Sequence, residues 1–366
     1  MRKKRLFFLS VLFKIFIKTL LVIVIILILF LGFLTIIEYR PDDIESLTVD
    51  TTVNKQASLD QSLSFMTFNI GYGGLGKHED FVLDGGVNGR PSSEENVLAY
   101  LDGIMEIMAD NHADFYLLQE VDLDSTRSFN LNQMTMIHES LGSQYDALFA
   151  YNYKAFFVPF PFSLTDHLGK VESGLLTLSN HTMKEGTRYQ FPGAFDWPLR
   201  IVNLKRSMMA VEIEIEDSES SLIVVNLHLS AYDGDGSLRE EEMTFLKAYM
   251  ESEYEKGNYV VVGGDFNQTF PSVVDVYPVI QDYYVAFPIE EEWLLSSFSF
   301  VIDETLPTCR LLNQPYNPLD IEKTQYYIID GFIVSDNIFV EHIATIDHDF
   351  EYSDHNPVMM TIRLKP

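Results

Sequence analysis

The chain has 366 residues, of which 47% are hydrophobic, 13% aromatic and 22% charged, a composition that excludes a disordered, collagen-like or low-complexity protein and supplies a sizeable core. Six of the 25 basic residues (Arg2, Lys3, Lys4, Arg5, Lys14, Lys18) precede residue 38, whereas all 54 acidic residues follow residue 37, so the remainder sets 19 basic against 54 acidic residues, a net −35. That balance argues against a long basic groove tracking nucleic-acid phosphates, and the single Cys309 excludes an internal disulfide framework or a cysteine-built zinc site.

Residues 1–18 form a basic N-terminus. Residues 19–37 carry no charge, and a helix of that length at 1.5 Å per residue spans roughly 28 Å, about the hydrocarbon thickness of a bilayer. The run is long for a signal peptide, and Glu38-Tyr39-Arg40-Pro41 offers no small-residue cleavage site, so it reads as an uncleaved transmembrane anchor. Basic residues before it and acidic ones after it predict a single-pass protein of the cell membrane, its N-terminus cytoplasmic and the remaining chain outside. Residues 38–61 are polar, acidic and aperiodic and read as a tether.

From 62 to 366 the pattern is that of one large α/β domain. Apolar runs at 63–68, 115–118, 222–225 and 259–262 predict buried strands, and strict alternation at 211–216 predicts a strand with one wet face, joined by a hairpin to the run at 222. Ser92 with Glu95 and Ser237 with Glu240 have capping-box spacing and predict two helix starts, each followed by an apolar stripe. The Gly-rich stretch 71–89 lacks phosphate-loop spacing and reads as a rim loop.

Several buried-looking strands stop at polar residues of one chemical kind: Asn69, Gln119-Glu120, Asn226-Leu227-His228, Gly264-Asp265-Phe266-Asn267 and Ile329-Asp330, with Ser353-Asp354-His355 near the end of the chain. Each ending alone is more often a solvated or turn-forming residue. Six such endings in one domain, rich in carboxylate, amide and imidazole and free of thiol, fit one chemistry.

The order and wording of these segments resembles the endonuclease/exonuclease/phosphatase superfamily over about residues 63–364. That superfamily includes pancreatic-type deoxyribonuclease, abasic-site endonucleases, neutral sphingomyelinases and inositol polyphosphate 5-phosphatases. The resemblance implies an α/β fold in which two β-sheets form a sandwich flanked by helices, here preceded by one transmembrane helix, with the site along one edge of the sandwich. By position, Glu120 is similar to the main carboxylate ligand of a divalent metal, with Asn69 beside it and Asp354 as a further metal or water contact. Oxygen ligands suit Mg²⁺, with Mn²⁺ as a substitute. Asp265 resembles the residue that deprotonates the attacking water, and Asn267 the amide that steadies water and phosphoryl oxygen. His228 and His355 resemble donors to the phosphoryl oxygens, with Asp330 holding His355 protonated.

Departures leave the subfamily open: Gln268 follows Asn267 with no Arg of the inositol 5-phosphatase kind, Asn356 rather than a basic residue follows His355, and His228 stands where abasic-site endonucleases carry Tyr. Arg127, Arg188, Arg200 and Arg206 are candidates to grip a second phosphate or head group, against the plainer reading of ordinary ion-paired arginines. Phe156, Phe157, Phe160 and Phe162 suit either lipid contact or core packing. The expected function is a membrane-anchored, Mg²⁺-dependent phosphodiesterase acting on a small or lipid-derived phosphodiester. The alternatives are an extracellular nuclease and a non-catalytic binding domain on the same fold. The expected partners are the phosphate-ester substrate and the bilayer, with nucleic acid less favoured.

Overall fold

A computed structural model describes residues 2–49, 52–163, 165–234, 236–281 and 283–366. The elements in chain order are α1 (Arg2–Ile36), β1 (Ile44–Leu47), β2 (Ser62–Asn69), α2 (Glu94–Asp110), β3 (Phe115–Asp122), α3 (Gln133–Leu141), β4 (Asp146–Val158), β5 (Gly169–Ser179) and β6 (Met183–Gln190). They continue with β7 (Ser207–Glu214), β8 (Ser221–His228), α4 (Ser237–Glu255), β9 (Tyr259–Asp265), β10 (Phe298–Val301), β11 (Cys309–Arg310), β12 (Tyr326–Tyr327), β13 (Asp330–Ser335), β14 (Ile338–Thr345) and β15 (Val358–Leu364). A seven-stranded sheet runs β1-β6-β7-β8-β9-β13-β10 and a six-stranded sheet runs β14-β15-β2-β3-β5-β4; β11 and β12 make a small ribbon. Both large sheets are mixed, parallel at β2–β3 and β8–β9 and antiparallel elsewhere.

The period-2 alternation of a strand sorts the apolar residues into layers. Leu63 and Phe65, Phe115 and Leu117, Leu222 and Val224, Val261, and Phe332 and Val334 meet in one buried cluster between the sheets. The opposite face of β2 and β3 (Met66, Phe68, Tyr116, Leu118) packs on the α2 stripe of Val97, Leu101, Ile104 and Met108. Val225, Val260 and Val262 of the other sheet pack on Met243, Leu246 and Met250 of α4. The result is a β-sandwich with helices on its outer faces, as the family resemblance implies.

The inner-face series of each central strand ends in a polar residue at the same end of the sandwich: Asn69 after Leu63, Phe65 and Thr67; Gln119 after Phe115 and Leu117; His228 after Leu222, Val224 and Asn226; Asp265 after Val261 and Gly263. Asp330, two residues before Phe332, opens β13 at that end. Register then pairs Asn69 with Gln119, His228 with Asp265, and Asp265 with Asp330.

Both helix starts differ from the capping-box reading. Ser93, not Ser92, caps α2 by accepting the Asn96 N–H, while Ser92 donates its hydroxyl to Glu79. Gly236, in the left-handed region at φ +77°, is the cap of α4, and the Asp233 carboxylate accepts the Arg239 N–H that a Ser237 cap would have served.

The described residues between 38 and 61 have structure of their own. β1 adds antiparallel to β6, from Ile44 opposite Tyr189 to Leu47 opposite Gly186, and Ala57 bridges to Ile215. The last turns of α1 also touch the domain. Phe30 meets Phe157 and Phe33 meets Phe156 edge-on with ring centroids 6.1 and 5.6 Å apart, and Trp197 Nε1 donates to Thr35 Oγ1 at 3.2 Å. Glu38 pairs with Lys205 at 3.1 Å and Arg200 at 3.4 Å. Within α1, Phe7–Ile36 is long and apolar enough to cross a membrane, with mean hydropathy 3.2.

Candidate active site

The polar strand ends converge on one cleft. Asn69 Nδ2 donates to Asp265 Oδ2 at 3.0 Å and lies 3.4 Å from Glu120 Oε1, so one amide ties together carboxylates from the two sheets. His228 Nε2 is 3.3 Å and His355 Nε2 3.7 Å from the same Asp265 oxygen, and His355 Nδ1 is 2.8 Å from Asp330 Oδ2. Asn69, Glu120, His228, Asp265, Asn267, Asp354 and His355 all line a cavity of about 510 Å³, with Asp330 behind His355. All eight residues singled out in the sequence are thus brought together.

Local backbone geometry explains how each is aimed. Strict alternation would put Glu120 on the helix-facing side with Leu118. Instead the β3–β5 register breaks between Leu118 and Val121, and Glu120 has φ +56°, a bulge that turns its side chain into the cleft. Glu120 keeps 24% of its side chain exposed, whereas Asp265 and Asp330 are buried. Asn267, at φ +50°, donates its N–H to Asp265 Oδ1 at 2.8 Å. Its Nδ2 donates to Leu229 O and its Oδ1 accepts from Tyr284, which leaves one amide hydrogen for the cavity. Ser353 Oγ donates to Asn69 O at 2.8 Å and accepts the His355 N–H, fixing the last loop to the first strand end. Gly71 has φ +50°, and a Cβ there would lie 2.9 Å from Asp354 Oδ1, so only glycine lets the chain pass this close.

Burial and neighbouring charge divide the titratable groups. Burial, reinforced by the Asp330 charge, pushes the Asp265 carboxyl up to about 7. Burial and the Glu120 charge likewise push Asp354 up to about 7, against the pull of His355 and Arg310. Burial and the Arg206 guanidinium hold His228 well below the usual imidazole range, hence neutral. His355 is as buried, but the Asp330 carboxylate 2.8 Å from its Nδ1, with Asp265 beyond, outweighs that burial and holds it well above the usual range, hence protonated. Burial lifts the Cys309 thiol to about 12, so it is no thiolate ligand.

The donor set suits a hard divalent cation. Glu120 and Asp354 are carboxylates close enough that one raises the pKa of the other, a repulsion that a cation between them would relieve. Asn69 stands beside them, although its Oδ1 accepts the Gly71 N–H at 3.0 Å and its Nδ2 faces the carboxylates. Asp265, Asp330 and His355 also bring ligand-type atoms within 4.8 Å of one another, but Asp330 and His355 already form an ion pair there.

The four arginines separate cleanly. Arg127 and Arg206 line the cavity, while Arg188 is buried against Glu45 and Arg200 pairs with Glu38. Arg127 forks onto Asp122 at 3.1 and 3.0 Å, stands 3.8 Å from Glu120, and lies over the Tyr72 ring at 3.7 Å. Sequence reasoning missed Asp122, Tyr72, Tyr284 and Arg310. Asp122 sits two residues beyond Glu120, and that spacing was the available signal; Tyr72 and Tyr284 come from loops and Arg310 from the two-residue strand β11, and no local pattern announces their approach to the cleft.

The pattern that defines the Endonuclease/Exonuclease/phosphatase family matches residues 66–355, most of the chain and every one of these positions. The chain belongs to the endonuclease/exonuclease/phosphatase family. Members of this family are phosphoester hydrolases, and the Glu120–Asp265–His355 cleft lies within the matched region. Its fold is shared with the endonuclease/exonuclease/phosphatase from Beutenbergia cavernae DSM 12333, at 16% identity and TM-score 0.56, with 83% of this chain and 72% of that one covered. A family protein from Bacteroides vulgatus is similar at 16% identity and TM-score 0.51, with 84% and 100% covered. The human Nocturnin catalytic domain, solved with a bound sulfate anion, is similar at 14% identity and TM-score 0.51, with 83% and 94% covered. No curated protein matches the chain in sequence.

Proposed function

We propose that this endonuclease/exonuclease/phosphatase family member is a membrane-anchored, Mg²⁺-dependent phosphodiesterase that acts, on the outer side of the cell membrane, on a small or lipid-derived phosphodiester. The observation that carries the reading is Asp265: a buried carboxyl at about 7, within 3.7 Å of one neutral and one protonated imidazole. A base near the working pH both holds little proton and accepts one readily.

Glu120 and Asp354, with Asn69 alongside, would hold the divalent cation, which supplies Lewis acidity toward a phosphoryl oxygen. Asp265 takes the proton of the attacking water as its oxygen bonds to phosphorus and the opposite phosphorus–oxygen bond breaks. His355, charged and braced by Asp330, donates to the phosphoryl oxygen on which negative charge grows. His228, neutral, hydrogen-bonds the same region without adding charge, and the free Asn267 amide hydrogen orients water or phosphoryl oxygen. No covalent nucleophile is required.

The anchor reading rests on α1, and the outward orientation on the basic residues ahead of it. The net −35 beyond residue 37 disfavours long polyanions and so the nuclease alternative. The test is hydrolysis of bis(p-nitrophenyl) phosphate by the full chain in phospholipid nanodiscs. Mg²⁺ should support turnover, excess chelator should abolish it, and Glu120→Gln should raise the Mg²⁺ concentration required. Full activity in chelator would overturn the reading, and absence of any phosphoester hydrolysis would leave a binding domain.

A further inference from the structure

The cavity that holds the polar cluster does not end there. From Asn69, Asp265 and His355 it continues past Arg127 and Arg206 into an arm walled by Tyr153, Val158, Phe160, Leu168, Val202 and Leu204. These residues belong to one apolar cluster distinct from the sandwich core. At about 510 Å³ the whole space is of the size that encloses small molecules, typically about 300–1,000 Å³. A purely polar substrate leaves such an arm unused.

The arm is built by the segments that touch α1. Phe156 and Phe157, which meet Phe33 and Phe30, immediately precede Val158 in its wall. Trp197 and Arg200, which bind Thr35 and Glu38, flank Leu199, another lining residue. Phe162, 93% exposed, and the exposed Leu199 stand on the same rim. Depth follows from the helix. Phe30 lies seven residues before Ile37, the end of the uncharged run, so at 1.5 Å per residue the aromatic contact sits about 10 Å inside that end. Interfacial elements bury their apolar faces to about 5–10 Å, so the rim lies at the boundary of head groups and acyl chains.

We infer that the arm receives one acyl chain of a membrane phospholipid drawn from the leaflet next to the domain, while its phosphodiester reaches Asp265 and His355. The inference rests on the phosphodiesterase reading above and gives its substrate class. Hydrolysis then breaks the bond between phosphorus and the oxygen of the acyl-bearing alcohol: phosphorus gains hydroxyl from water, Asp265 takes the proton that water gives up and later returns it to solvent, and the leaving alcohol, on the opposite side, takes its proton from solvent. Arg127 and Arg206, at the junction of arm and polar end, stand where a phosphate would pass.

The test uses the full chain in nanodiscs of phosphatidylcholine and phosphatidylglycerol that contain a minor fraction of phosphatidylcholine with a terminal diazirine on one acyl chain. After photolysis, label is mapped by peptide mass spectrometry, with α1 as the internal control for insertion. Bis(p-nitrophenyl) phosphate hydrolysis is followed in the same nanodiscs. Label in 158–168 and 199–204 beside that on α1, lost in Leu204→Arg, together with release of phosphorylated head group from the nanodisc lipid, is the expected result. Label on α1 alone with the soluble diester still cleaved overturns the arm while leaving the phosphodiesterase reading intact. Labelled arm without hydrolysis of any diester overturns both. An unlabelled arm with efficient nicking of plasmid DNA moves the substrate to nucleic acid. Because the wild-type map decides the question, misfolding of Leu204→Arg does not rescue the inference.

Discussion

Arg127 is the only arginine that forks onto a fully buried carboxylate among the described ion pairs. Asp122 has no side-chain exposure and Arg127 keeps 7%. Arg127 Nη2 is the donor to Asp122 Oδ1, while Oδ2 receives both Arg127 Nε and, at 2.8 Å, Ser128 Oγ. Arg127→Met keeps much of the stem volume but strands a buried charge, a change that costs about 3–5 kcal/mol. At about 2–3 °C per kcal/mol for a domain of this size, Tm should fall by roughly 6–15 °C. Replacing both partners, Arg127→Met with Asp122→Leu, removes the stranded charge and should recover most of that loss, since apolar substitutes for a buried pair are often neutral. The assay is thermal unfolding of the full chain in nanodiscs at one scan rate, read by intrinsic fluorescence. A single variant within about 2 °C of wild type, or a double variant no more stable than the single, would refute the argument.

Three further outcomes are expected. Asp265→Asn should lower kcat by about 10²–10⁴ with little change in KM, because the lost group is the general base; steady-state diester hydrolysis checks it. His181, buried and stacked on Phe115, is held down to about 4 by burial and the Lys55 charge against the pull of Asp114. The unfolded chain binds its proton near 6.5 and the folded one only near 4, so stability falls as pH drops through that window, by at most about 3 kcal/mol. Tm against pH should therefore flatten between pH 4 and 6.5 in His181→Phe. Protease added outside intact cells should digest the domain, and protection until the membrane is permeabilised would reverse the orientation.

How much of this was legible follows from how each feature is encoded. A strand written as Leu63, Phe65, Thr67, Asn69 states both its buried face and the polar group that face delivers, so the buried strands and their polar ends follow from a period of two, while the stacking of two sheets is legible only through resemblance. Asp330 and His355 lie 25 positions apart, and their 2.8 Å contact is legible only through resemblance. The aim of Glu120 is not encoded by period at all, since it depends on a bulge that breaks the period. Arg127 looks like any arginine because its burial is decided by residues as remote as Ser173. The apolar arm escaped for a similar reason: segments near 158, 168 and 202 each read as core or loop, and only their packing leaves a space between them. β1 reads as tether in the sequence because Ile44-Glu45-Ser46-Leu47 is short and half polar, as an edge strand with one covered face is.

That edge strand bears on how the protein can be cut. β6 has β7 on one side and only four residues of β1 on the other. A soluble version begun at residue 62, where the globular pattern starts, would lack both β1 and the Ala57 bridge and would bare a row of unpaired β6 backbone groups. Such a row is a template on which another copy can pair. A version begun at residue 41 retains the cover and should stay monodisperse in light scattering, whereas the shorter one should self-associate. Equal behaviour of the two would show that β1 guards nothing. The segment between α1 and the domain would then be a spacer, as its composition suggests, rather than the last strand of the sheet it lies against.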